Sequence, residues 1–161
     1  MIFIPTNANP FQTNETCSTQ TQTPHQCILS FPPHFWTTMD PAQITQQFTN
    51  HYCQVFGSGQ RQNMRGLYQA ESSLSFEGEM FQGPDAIIGK LTTLAFNQVQ
   101  VEPITRDWLP GPGGCLVIMV NGSMTLQGEA NKLKFSQSFT LVAAGPGNFW
   151  VKNDIFRINV G

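Results

Sequence analysis

From Lys132 to Val142 apolar and polar residues alternate: Leu133, Phe135, Phe139 and Leu141 share one parity, and Lys132, Lys134, Ser136, Ser138 and Thr140 the other. That pattern predicts a strand with one buried face. Ala143 to Gly147 supplies turn residues, because glycine tolerates positive φ and proline cannot extend a ladder. The returning strand, Phe149 to Ile158, differs from its partner. Its neighbours Ile155 and Phe156 point to opposite faces, so apolar surface stands on both sides. Cys115 to Val120, apolar at every residue, makes the same demand. Strands of this kind need two covers, and the expected pair is the chain's own helices and a second copy of the protein.

The chain's 161 residues can enclose one sizeable core. Charged residues make up 11%, the net charge is −2 and no Lys/Arg cluster exists, which argues against a nucleic-acid partner. No apolar run approaches the roughly 18 residues of a membrane span, so no membrane insertion is expected. Cys17, Cys27, Cys53 and Cys115 form no C-x-x-C pair, and His25, His34 and His51 complete no zinc spacing. Reduced thiols, with no metal and no cofactor, are the expectation. The glycines between Leu109 and Gly114 precede a strand, not a helix, and no Lys-Ser/Thr follows. A surface turn is expected there, not a phosphate cradle.

Residues 1–38 are rich in Thr, Gln, Asn and Pro and carry one charge, Glu15. Such composition cannot bury enough apolar surface to offset the entropy of ordering, so a disordered extension is expected, with Met39 a candidate start. No basic residues precede the short apolar opening, unlike a signal peptide. The domain then runs over residues 39–161. Asp40-Pro41-Ala42-Gln43 has the marks of a helix start, and Ile44, Phe48, Tyr52, Val55 and Phe56 recur at helical spacing. A second short helix is expected over Arg61 to Gln69, burying Met64, Leu67 and Tyr68. Ser73 to Glu77 alternates as a strand, and Gly83-Pro84-Asp85 opens a third helix with Ile87, Ile88, Leu91 and Leu94 inside. Asn97 to Asp107 predicts a strand irregular at Pro103. Asn121-Gly122 suits a hairpin turn, or else a bulge in a longer strand reaching Leu126; local rules leave both open. Helices first and long antiparallel strands after give an α+β fold with helices on one face of a curved sheet.

Several short pieces then fall in a specific order: Phe48-x-x-His51-Tyr52, Gly66-Leu67-Tyr68, Leu74-Ser75-Phe76-Glu77-Gly78, Phe81-Gln82-Gly83, Lys90 to Leu94 with Phe96, Leu133 to Gln137, and Asn153 to Asn159. On these, residues 39–161 resemble the nuclear transport factor 2 family. The resemblance implies a cone of strongly curved antiparallel sheet with three helices on its concave side. It implies a homodimer joined through the outer face, with Met119 and Ile155 in the interface, and it favours the bulge at Gly122. The implied function is nuclear import of the small GTPase Ran in its GDP form, in cytoplasm, nucleus and nuclear pore. An aromatic side chain of Ran would enter a mouth lined by Phe76, Leu94, Val99, Leu133 and Phe156, with Glu77 and Glu129 as rim acids facing Ran's basic residues. Phenylalanine-glycine nucleoporin repeats are a second implied partner. Pro41 stands where some members have a repeat-binding tryptophan, and Gly57 to Gln60 replaces a tighter acidic connection. Two other readings are an adaptor of this fold without Ran, and a cavity isomerase or dehydratase. For the latter, Glu77, Asp154, His51 and Tyr68 are the available acid/base groups, and no pair among them is spaced as a dyad.

Overall fold

A computed structural model of the chain describes residues 2–3, 40–128 and 131–159. The expectation for residues 1–38 lies outside them, save for a two-residue strand β1, Ile2–Phe3, set against Phe149 and Asn148.

Asp40 caps helix α1 (Pro41–Gly57), its carboxylate accepting the Ala42 amide at 3.0 Å while Pro41 takes the first turn. Ile44, Phe48, Tyr52 and Phe56 form the buried stripe. A 3-10 helix, Arg61–Leu67, buries Met64 and Leu67. It stops short of the predicted Gln69 because Tyr68 already pairs in a sheet, opposite Val151. Strands β2 (Tyr68–Phe76) and β3 (Glu79–Gln82) follow, then α2 (Gly83–Thr92), whose Ile87 and Leu91 are buried. Four long strands complete the chain: β4 (Val99–Gly111), β5 (Cys115–Leu126), β6 (Lys132–Gly145) and β7 (Asn148–Asn159).

The sheet runs β3-β2-β7-β6-β5-β4, with β1 beside β7. The expectation of antiparallel pairing holds at every junction but one: β2 and β7 lie parallel, Phe76 opposite Phe156. Hydrophobic alternation tells which face a strand buries and says nothing of its direction, so this pair was not legible in the pattern. Strand β5 passes through Gly122 without turning, which settles the hairpin question for the longer strand. The irregularity sits across from it in β4, where Ile104 is the extra residue between Pro103, opposite Gly122, and Thr105, opposite Asn121. A Cβ on Gly122 would lie 2.5 Å from the Glu102 carbonyl oxygen and 2.7 Å from the Phe135 ring. Only glycine allows that approach.

The core lies between α1 and the inner face of the sheet, where Phe48 and Tyr52 meet Phe139 edge-on at 4.8 and 4.7 Å. On the outer face Met119 stands opposite Ser138, and Ser138 opposite Ile155. Met119 and Ile155 are 42% and 54% exposed, and Val117 and Leu109, paired on the same face, are exposed too. Two-faced strands are therefore present as expected, with the helices on one side.

Candidate functional site

The open end of the sheet carries a stack of aromatic rings. Phe76 ends β2 and Phe156 lies beside it in the ladder, their rings parallel within 6° at 4.8 Å. Phe135 of β6 continues the stack at 5.7 Å from Phe156, and Phe56 of α1 closes it at 6.3 Å. Of the five expected mouth residues, Phe76, Phe156 and Val99 are buried and Leu94 and Leu133 half-buried. Leu133 lies opposite Met124, farther along the same end, and Leu94 sits in the segment between α2 and β4. The interior behind this rim is filled. A void of about 10 Å³, bordered by Tyr52, Phe56, Met124, Phe135, Gln137 and Phe156, has room for about one water molecule. Open space lies beside the rim instead, in a groove of about 530 Å³ past Ser58, Val99, Leu126 and Gly128. The mouth is shallow.

Glu77 and Gly78 both have positive φ (53° and 91°), the backbone of a tight hairpin turn that follows the strand twist. The turn binds Glu77 to β7 twice. Its amide donates to the Phe156 carbonyl at 3.1 Å, and its carboxylate accepts the Ile158 amide. The second carboxylate oxygen is 3.8 Å from the Arg157 guanidinium. Lys90 of α2 pairs with Glu79 and lies 5.6 Å over the Phe76 ring, near enough for a cation–π contact. The rim is thus two ion pairs around an aromatic surface, where the sequence suggested acids alone. Glu129 lies outside the described residues.

A second cluster, absent from the expected site, sits at the floor. Asp154 is fully buried, and three neutral donors converge on it: the Tyr52 and Tyr68 hydroxyls at 3.0 and 2.9 Å and the Gln137 amide at 2.7 Å. Gln137 also donates to the Tyr52 oxygen at 3.0 Å. Burial pushes the Asp154 carboxyl up to about 6, the three donors holding back part of that rise. Burial, reinforced by the Asp154 charge, also raises both tyrosines well above their ordinary value. Asp154 and Tyr68, two of the four acid/base candidates, are brought together here; Glu77 is at the rim and His51 is exposed on α1. One signal could have found this cluster. Gln137 occupies a parity that is otherwise apolar in β6, whereas Asp154 shares its parity with Asn148 and Lys152, β7 shifting register between Val151 and Asn153. Among the described residues no group of three or more His, Cys, Asp or Glu could hold a metal, and no helix is long and apolar enough to cross a membrane.

The nuclear transport factor 2 domain model matches residues 44–158. Nuclear transport factor 2B of Arabidopsis thaliana is 43% identical over 122 residues, 75% of this chain and 96% of that protein. The chain belongs to the nuclear transport factor 2 family. Nuclear transport is the functional class that this kinship carries. The nuclear transport factor 2 of Oryza sativa subsp. japonica is likewise 43% identical, over 76% of this chain and all of its own length. The solved nuclear transport factor 2 of Cryptosporidium parvum superposes with a TM-score of 0.68 at 38% identity, covering 73% of this chain and 94% of that one. These relatives are named as transport factors, not as enzymes.

Proposed function

We propose that the chain is a Ran-GDP import carrier that works as a homodimer in cytoplasm and nucleus and at the nuclear pore. The observation that carries this is the rim itself. A flat pair of phenylalanines, Phe76 on Phe156, sits beside a carboxylate held in place by β7. Such a surface suits an aromatic anchor with basic neighbours: the rings supply affinity and the carboxylate orientation and on-rate. Met119 and Ile155 supply the apolar patch for the twin subunit, and phenylalanine-glycine repeats are a further ligand class. The polar floor does not favour an enzyme, because the void beside Gln137 and Tyr52 cannot admit an organic substrate.

Titration with purified Ran loaded with GDP or GTP tests the carrier reading, which requires tighter binding to the GDP form. Equal or absent binding to both would sink it. Phe76→Ala should weaken binding by roughly tenfold or more, as loss of a buried anchor surface does. A second reading, an adaptor for aromatic peptides, draws support from Lys90 and Arg157, whose charges offset the rim acids. Capture of Phe-Gly repeats without Ran in a parallel pull-down would favour that adaptor.

A further inference from the structure

Arg61 is 2% exposed, yet among the described residues no carboxylate lies within ion-pair distance of it. A buried cation without a counter-ion is costly, so something else must balance it. Its guanidinium donates to four backbone carbonyls: Phe56 at 3.1 Å, Leu91 at 3.3 Å, Phe96 at 2.9 Å and Asn97 at 3.3 Å. Phe56 lies in the last turn of α1 and Leu91 in the last turn of α2. Carbonyls there have no partner within their own helix, and each helix C-terminus carries roughly half a negative elementary charge. Two such ends meeting on one guanidinium supply about the charge of the missing carboxylate. The Phe56 and Phe96 rings lie 4.8 Å from the same guanidinium carbon and complete the enclosure.

The other two carbonyls belong to the connector between α2 and β4, residues 93–98, which bears Leu94 and Phe96. Nearby the α1 end is pressed against this chain segment: a Cβ on Gly59 would come within 2.6 Å of the Asn97 oxygen. We propose that Arg61 is a positioning residue for the mouth, a clamp that fastens the connector to two helix ends and so sets where Leu94 stands at the rim. This rests on the carrier reading for its binding consequence, and on the chain alone for its structural one. Arginine is required because a planar fork reaches carbonyls in several directions, whereas a lysine ammonium acts as a point charge.

The test compares wild type with Arg61→Lys, which keeps the charge and loses the fork. Hydrogen exchange at the two helix ends that the guanidinium joins, read at the hydrogen-bonded amides of Ser58 and Thr93, should accelerate in the variant while the β5–β6 amides keep their protection. The affinity for Ran-GDP should fall by roughly tenfold, since a loosened rim must be ordered on binding. Unchanged exchange at Ser58 and Thr93 overturns the clamp. So does accelerated exchange with affinity kept within twofold, which would make Arg61 a stabiliser and no more. Should wild type fail to bind Ran, the carrier reading falls, and the exchange arm still judges the clamp. If Arg61→Lys does not fold, wild-type exchange decides. The last turns of α1 and α2 must open together, and one turn that exchanges far ahead of the other refutes the idea.

Discussion

Asp154 is a carboxyl held by three donors and, among the described residues, by no cation, and that arrangement fixes how stability should vary with pH. Its carboxyl is pushed from 3.8 to about 6 by burial. The folded state therefore holds the proton more tightly than the unfolded chain, and this contribution is full below about pH 4 and lost as pH rises through 6. A shift of about two units corresponds to about 3 kcal/mol. Asp154→Asn cannot ionise. Its stability relative to wild type should rise by about 3 kcal/mol between pH 4 and 7, read from urea denaturation at each pH. A difference that stays flat across that range would show that the burial cost is relieved elsewhere. At Gly122 the contact is steric. Gly122→Ala places a methyl against the Glu102 carbonyl and the Phe135 ring, and should cost about 1–3 kcal/mol in the same assay. Gln137 was legible as a polar residue on the apolar parity of β6. Arg61 was not, because its carbonyl partners are spread along the chain from Phe56 to Asn97 and carry no side-chain signature.

Among the elements, α1 is the one that local rules describe best. Asp40→Ala removes the side-chain cap on the Ala42 amide and should cost about 1 kcal/mol. Phe139→Ala should cost more, about 3–5 kcal/mol, because its ring fills the contact between β6 and the Phe48–Tyr52 stripe. Thermal unfolding of both variants ranks them, and the reverse order would mean that α1 depends on its cap more than on its packing. The start of α1, the alternation of β6 and the two-faced character of β5 and β7 could all be read from residue types. What could not be read is how elements meet. The parallel pairing of β2 with β7 depends on contacts between distant segments, whereas the irregularity of β4 was legible in Pro103, one residue before the bulge at Ile104. The mouth divides in the same way. Phe76, Phe156 and Val99 were legible as buried apolar residues on strands, but the filling of the space behind them follows from ring geometry, which has no one-dimensional trace.

At the scale of the molecule, one apolar surface is left to be explained. Val117, Met119 and Ile155 are exposed in a sheet whose other face is covered by helices. Replacing Met119 and Ile155 together by glutamate should give a folded single subunit in sedimentation equilibrium, because like charges would face one another across the proposed twofold contact. A variant that sediments as wild type does would place the subunit contact elsewhere. The rim has a different dependence on the whole, and it bears on biosynthesis. Phe76 belongs to the first half of the chain and gains its neighbour only when Phe156 docks beside it in the parallel ladder. No truncated nascent chain lacking β7 can present the stacked pair, however well its helices have formed. On the role proposed for the rim, a chain emerging from the ribosome stays unable to take cargo until β7 has cleared the exit tunnel.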